Sequence, residues 1–174
     1  MFTLRCTQKL LQRMGTSGPD SALASTTVLG DWYANILFTR PRQLVLCISE
    51  RTLLPVVVAA KDVQRLPSRL IESLPEVLCQ LGVDGAAIAQ EQAEMREIQI
   101  NRSASKQVLG SLNQLMFQLE SQIHWHPDLT LIEHALRLAE TPMKGIEYSS
   151  PAQATSAMFH AASTLRAARE WRHG

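Results

Sequence analysis

Two well-separated segments place polar residues inside runs whose apolar neighbours should build a core, and such positions are where a pocket can form. The first is Leu29-Gly-Asp31-Trp32-Tyr33-Ala-Asn35-Ile-Leu-Phe, and the second is Ser105-Lys106-Gln-Val-Leu-Gly110-Ser111-Leu-Asn113. Glycine in the first two turns of a helix lets a ligand or another backbone come close, where Ser111 and Asn113 could hydrogen-bond it. The competing reading makes Gly110 a packing residue on a sheet and Asn113 the partner of a buried strand group. Strand alternation puts Trp32, Ala34 and Ile36 on one face and Tyr33, Asn35 and Leu37 on the other. Asn35 beside Tyr33 suits a polar, aromatic-walled pocket, with Arg51 at the next strand connection. A core tryptophan and an asparagine bonded to a nearby loop fit the same pattern.

Other chemistries find less support. Gly110-Ser111 lacks the Gly-x-Ser-x-Gly of a nucleophile elbow and the Gly-x-x-x-x-Gly-Lys of a phosphate loop. His124-Trp-His126, with His134 eight residues on, falls at a helix end before Pro127 and has no cysteine or carboxylate at ligand spacing. No metal or cofactor is expected. Basic residues collect at Arg40 and Arg42, and again at Arg166, Arg169 and Arg172 beside Trp171. The last three are spaced to share a helical stripe that could meet phosphate or an acidic partner. Cations at a helix C-terminus are also favoured by the helix dipole alone.

Composition sets the bounds. With 174 residues, 45% hydrophobic and 19% charged, the chain fits a single domain spanning residues 1–174. A net charge of +1 gives no general case for nucleic acid or an acidic membrane. Cys6, Cys47 and Cys79 lie in apolar segments, and an odd count leaves at least one unpaired. Free buried thiols in a reducing cytoplasm are expected. The first fourteen residues carry scattered charges, unlike a signal peptide, and the apolar run 53–60 is too short to span a bilayer.

The elements that must position these residues follow from their periodicity. Phe2-Thr-Leu-Arg reads as a short edge strand, and Thr7 caps a helix with Leu10, Leu11 and Met14 inside. Residues 15–27 are turn formers and read as a mobile loop. A hairpin follows, turning at Arg40-Pro41-Arg42-Gln43, and then a β-branched strand in which Pro55 marks an edge or a turn exit. Leu70, Leu74, Val77, Leu78 and Leu81 define a helix closing at Gly82, either kinked at Pro75 or restarting at Ser73. Asp84 caps a short helix, Ile98 and Ile100 alternate as a last strand, and Ser103 or Ser105 opens the longest helix. Val108, Leu112, Leu115 and Leu119 form its inner stripe. Residues 128–174 read as helical, with caps at Thr130 and at Ser150-Pro151, and Met158, Ala162, Leu165 and Ala168 facing inward. Together these predict an α+β fold: a small, mostly antiparallel sheet with an N-terminal hairpin, covered by helices.

Leu4-Arg-Cys-Thr-Gln-Lys9, the Trp32-Tyr-Ala-Asn35 string, Glu50-Arg51-Thr52, Leu109-Gly-Ser-Leu-Asn113, Thr141-Pro142 and Tyr148-Ser-Ser-Pro151 carry a resemblance over nearly the whole chain. It is to an uncharacterised bacterial domain family of about this size, whose members also occur fused to plasmid open-reading-frame-3-like proteins. Where the family has an arginine before Val-Leu-Gly, this chain has Lys106, which lacks the bidentate fork of a guanidinium. The resemblance implies a fold and a bacterial, cytoplasmic setting, and no activity. Two functional expectations follow. The first is a small accessory module that binds a protein or nucleic-acid partner. The second is an enzyme or small-ligand domain with a pocket among Trp32, Asn35, Arg51, Lys106, Gly110, Ser111 and Asn113.

Overall fold

The computed structural model describes residues 1–19 and 23–173, the side chain of His173 excepted; residues 20–22 of the expected mobile loop lie outside the described residues. Five strands, β1 (Phe2–Cys6), β2 (Trp32–Phe38), β3 (Gln43–Ser49), β4 (Pro55–Ala59) and β5 (Ile98–Arg102), form one sheet in the order β4-β3-β2-β1-β5. The α+β class holds, but the sheet is mixed: β2, β3 and β4 run antiparallel to their neighbours in turn, while β1 pairs in parallel with both β2 and β5. Phe2, Leu4 and Cys6 are completely buried, as is Thr3 between them. The expected edge strand is therefore interior, between β2 and β5. Alternation in its sequence misleads because covering both faces buries the polar residue as well.

Among the described residues six α-helices pack around the sheet. They are α1 (Gln8–Met14), α2 (Leu66–Gln80), α3 (Gly85–Glu94), α4 (Lys106–Trp125), α5 (Leu131–Leu138) and α6 (Pro151–His173). The first links β1 to β2, α4 lies against β2 and β3, and α2 and α5 lie against β4. The expected caps form: Thr7, Asp84 and Ser105 each accept a backbone N–H from the first turn of their helix, and Thr130 and Glu133 bond reciprocally. Helix α2 starts earlier than its stripe suggests and runs through Pro75 as one element. Proline has no N–H for the carbonyl of Ile71, and the side-chain amide of Gln92 on α3 donates to that carbonyl at 3.2 Å instead.

Helix α6 departs most from expectation. Its inner stripe is Ala152, Thr155 and Phe159, and Leu165 is 65% exposed. From His160 to Arg172 every residue except Ala162 is exposed, so the stripe expected through Leu165 and Ala168 has nothing to cover it. Cys6 and Cys47 are buried free thiols, whereas Cys79 is free but exposed on α2.

Candidate functional site

Helix α4 does meet the hairpin strands β2 and β3. The Tyr33 hydroxyl accepts the backbone N–H of Ser105 at 3.1 Å, tying β2 to the start of α4. Trp32 is fully buried and its Nε1 has no acceptor among the described residues. Asn35 serves the fold locally: its Oδ1 accepts the Thr7 hydroxyl at 2.7 Å and the Ile36 N–H at 2.8 Å, holding the cap of α1 to β2.

The remaining candidates scatter. Ser111 is buried and lies against Gly145, where a Cβ would sit 3.4 Å from its hydroxyl, at ordinary contact distance. Lys106, Gly110 and Asn113 are exposed on the outer side of α4. A Cβ built on Gly110 would meet nothing within 4 Å, which removes the reading of that glycine as a close-packing residue. Arg51 stands apart from them and donates from Nη1 to the carbonyls of Thr27 and Val28, each at 3.1 Å. None of the seven lines either of the two clefts described below.

A second constellation was legible only in part. Glu91 on α3 is 1% exposed, and its two carboxylate oxygens accept the N–H groups of Val28 (2.7 Å) and Leu29 (3.0 Å). Burial pushes its pKa above the ordinary glutamate value, opposed by those two bonds and by the nearby Arg51 charge. Asp31 beside it accepts the Thr3 N–H and pairs with the Arg5 guanidinium at 3.0 Å. These groups pin the chain entering β2. The signal was a charged residue spaced between Ile88 and Met95 on the inner stripe of α3.

The third is a cleft of about 310 Å³ under the hairpin tip, lined by Thr39, Arg40, Pro41, Arg42 and Leu44 from the hairpin and by Ile123, Pro127, Leu131 and His134 from the helices. His134, which sequence reasoning placed among surface histidines, is 3% exposed, next to Ala135 and Leu138 on the inner face of α5. Its Nδ1 lies 3.2 Å from Gln122 Oε1. Burial is the largest influence holding its pKa below the ordinary histidine value, reinforced by Arg137, His126 and Arg42 and opposed by Glu133. The Thr130–Glu133 capping box fixes the turn that makes His134 inward, so the sequence did contain the clue. His124 and His126 are exposed, and the described residues hold no group of three or more His, Cys, Asp or Glu able to bind a metal.

A smaller hollow of about 270 Å³ sits at the C-terminal ends of β1 and β5, lined by Cys6, Thr7, Gln8, Arg102, Ser103 and Leu109. Burial pushes the Cys6 thiol up to about 12, so it stays protonated and is no nucleophile near neutral pH. No described helix is long and apolar enough to cross a membrane.

Fold and sites thus define an α+β domain with a mixed five-stranded sheet and no assembled set of catalytic groups among the described residues. Residues 3–154 match the model of a family described as a domain of unknown function, DUF6933, and the chain belongs to that family. No curated protein matches the chain.

Proposed function

We propose that this protein is a small binding module whose globular body presents the outer half of α6 to an acidic protein partner. The observation that carries the reading is the bare helix from His160 to Arg172, about 20 Å long and exposed along nearly its whole surface. A segment of that length gains little stability as an isolated helix in water, so a partner that covers it is favoured by completing its packing. Arg166, Arg169 and Arg172 supply positive charge, offset by Glu170 on the helix and by Glu94 near Arg166, and the surplus selects an acidic surface. Leu165 and Trp171, 65% and 91% exposed, supply the apolar anchors that protein interfaces use. With a net charge of +1 and no broad basic face, the balance favours protein over nucleic acid. Free Cys6, Cys47 and Cys79 support a reducing, cytoplasmic setting, and the resemblance described above a bacterial one.

The test uses the full chain and its R166E/R169E/R172E variant as paired baits, with circular dichroism to show that both fold. The expected result is a set of acidic proteins crosslinked through residues 160–172 by the first bait and lost with the second. Identical capture by both baits overturns the proposal. So does retention of RNA or DNA at low salt that the variant abolishes while protein capture is unchanged.

A further inference from the structure

The cleft under the hairpin tip combines three properties that neither the fold nor the proposed partner helix requires. Its walls are apolar, from Leu44, Pro41, Ile123, Pro127 and Leu131. Its rim carries Arg40 and Arg42, whose guanidinium groups have no acid or hydrogen-bond acceptor among the described residues. Its floor includes the buried imidazole of His134, with Gln122 occupying Nδ1. Elsewhere in the chain, buried or half-buried cations are satisfied: Arg5 by Asp31, and Arg69 by the carbonyls of Ala59 and Lys61. Arg40 and Arg42 are instead exposed and unpaired among the described residues, and both line this apolar cleft.

We infer that this cleft binds a small organic monocarboxylate, with the carboxylate at Arg40 and Arg42 and the hydrocarbon body against Leu44, Ile123 and Leu131. A volume of about 310 Å³ admits a body the size of a benzene ring or a short alkyl chain. Arginine is suited to the head group because its planar fork matches two carboxylate oxygens. The apolar walls explain why the ligand is more than a bare anion: inorganic phosphate would leave them uncovered. Gln122 takes up Nδ1 of His134 at 3.2 Å, as acceptor or, with its amide turned over, as donor.

The groups that act on the imidazole are Arg42 on the hairpin, His126 after α4, and Arg137 and Glu133 on α5; Glu120 on α4 lines the adjoining groove with Arg40 and His124. Burial lowers the His134 pKa first, and Arg137, His126 and Arg42 add to it against Glu133. An anion seated beside it reverses part of that balance. By linkage, binding the carboxylate raises the His134 pKa, and the carboxylate binds more tightly as pH falls toward that pKa.

The test is calorimetry and NMR on the full chain with benzoate and hexanoate, against benzamide, hexanamide and inorganic phosphate as separate arms. Saturable binding of a carboxylate is expected, with shift changes at Leu44, Ile123 and Leu131, and binding weaker by about tenfold or more for its amide and for phosphate. The R40A/R42A variant, whose side chains make no contact the fold depends on, should weaken carboxylate binding by about the same factor. The His134 ring signals should titrate at higher pH with the carboxylate bound. A second variant, Ile123→Trp, fills the cleft from a half-buried position and should block binding while leaving both arginines. No saturable binding of either carboxylate, equal affinity for acid and amide, equal affinity for phosphate, or an unchanged R40A/R42A variant each overturns the assignment. Loss of acidic-partner capture in the α6 variant leaves these readouts untouched, so the two proposals fail separately.

Discussion

At the start of β2, Asp31 and Glu91 are buried and all four of their carboxylate oxygens are bonded, whereas beyond its far end Arg40 and Arg42 reach solvent without an acidic partner among the described residues. One strand joins the two regions, and they use charge for opposite purposes. At the entrance, charge replaces secondary structure: the segment 27–31 has few ladder bonds, so side chains of Glu91 and Arg51 satisfy its backbone. At the exit the hairpin already satisfies its own ladder from Phe38 to Gln43, and the arginines are left over. Polar groups that the fold consumes are poor candidates for binding. Polar groups it leaves unspent beside a cleft are better ones.

The comparison breaks first at Asp31. Asp31→Ala deletes the acceptor of Thr3 N–H and strands the partly buried Arg5, and should cost about 3–5 kcal/mol in urea unfolding. A loss below about 1 kcal/mol, the range of surface pairs, would mean the entrance is no more structural than the exit. Glu91→Ala should cost about 2–4 kcal/mol, because two backbone N–H groups lose their acceptors. The pH dependence adds a separate check. With its folded pKa raised above 4.5, the folded state holds the Glu91 proton more tightly than the unfolded state does. That contribution to stability is complete below 4.5 and is lost as pH rises through the higher folded value. Relative to wild type, Glu91→Gln should therefore gain stability across that window; a parallel pH profile for the two proteins would rule the account out. Gly30→Ala comes next, at about 1–2 kcal/mol. Gly30 holds a φ of +78°, and a Cβ there would press on the Arg51 side chain at 3.0 Å. Thermal melts of the purified variant would read it.

Much of this architecture was legible because it rests on local signals. Thr7, Asp84, Ser105, Thr130 and Ser150 cap their helices by bonds within four residues, and Pro55 does mark an edge strand. What escaped depends on pairing distant parts of the chain. The parallel insertion of β1 between β2 and β5 leaves no trace in Phe2-Thr-Leu-Arg itself, since register with Ile98 is decided ninety-six positions away. Gly110 and Asn113 suggested a site because polar residues beside Leu109 and Leu112 look inward, yet a helix turns 100° per residue and both fall outside. His134 escaped for the reverse reason. Its spacing to Leu138 was visible, but the neighbouring His124 and His126 suggested a solvated loop. The same limit applies to α6, where a regular pattern of alanine and leucine continues past the last surface able to receive it.

The smallest expected effect carries the comparison furthest. R40A/R42A should change unfolding free energy by no more than about 0.5 kcal/mol, the ordinary range for exposed positions that make no specific contact. Neither guanidinium has an acceptor to lose, and the turn they flank keeps the Thr39 hydroxyl bonded to the Arg42 carbonyl whatever the side chain at position 42. Relief of repulsion toward Arg13 and Lys61, which border the neighbouring groove with Arg42, could even make the variant slightly more stable. Urea midpoints at low and high salt separate the cases. A gain that vanishes with salt identifies unspent like charge, the state expected of a binding site kept empty of its counter-anion. A loss above about 1 kcal/mol that salt does not alter would show that the arginines, like Asp31 and Glu91, are part of what holds the fold together.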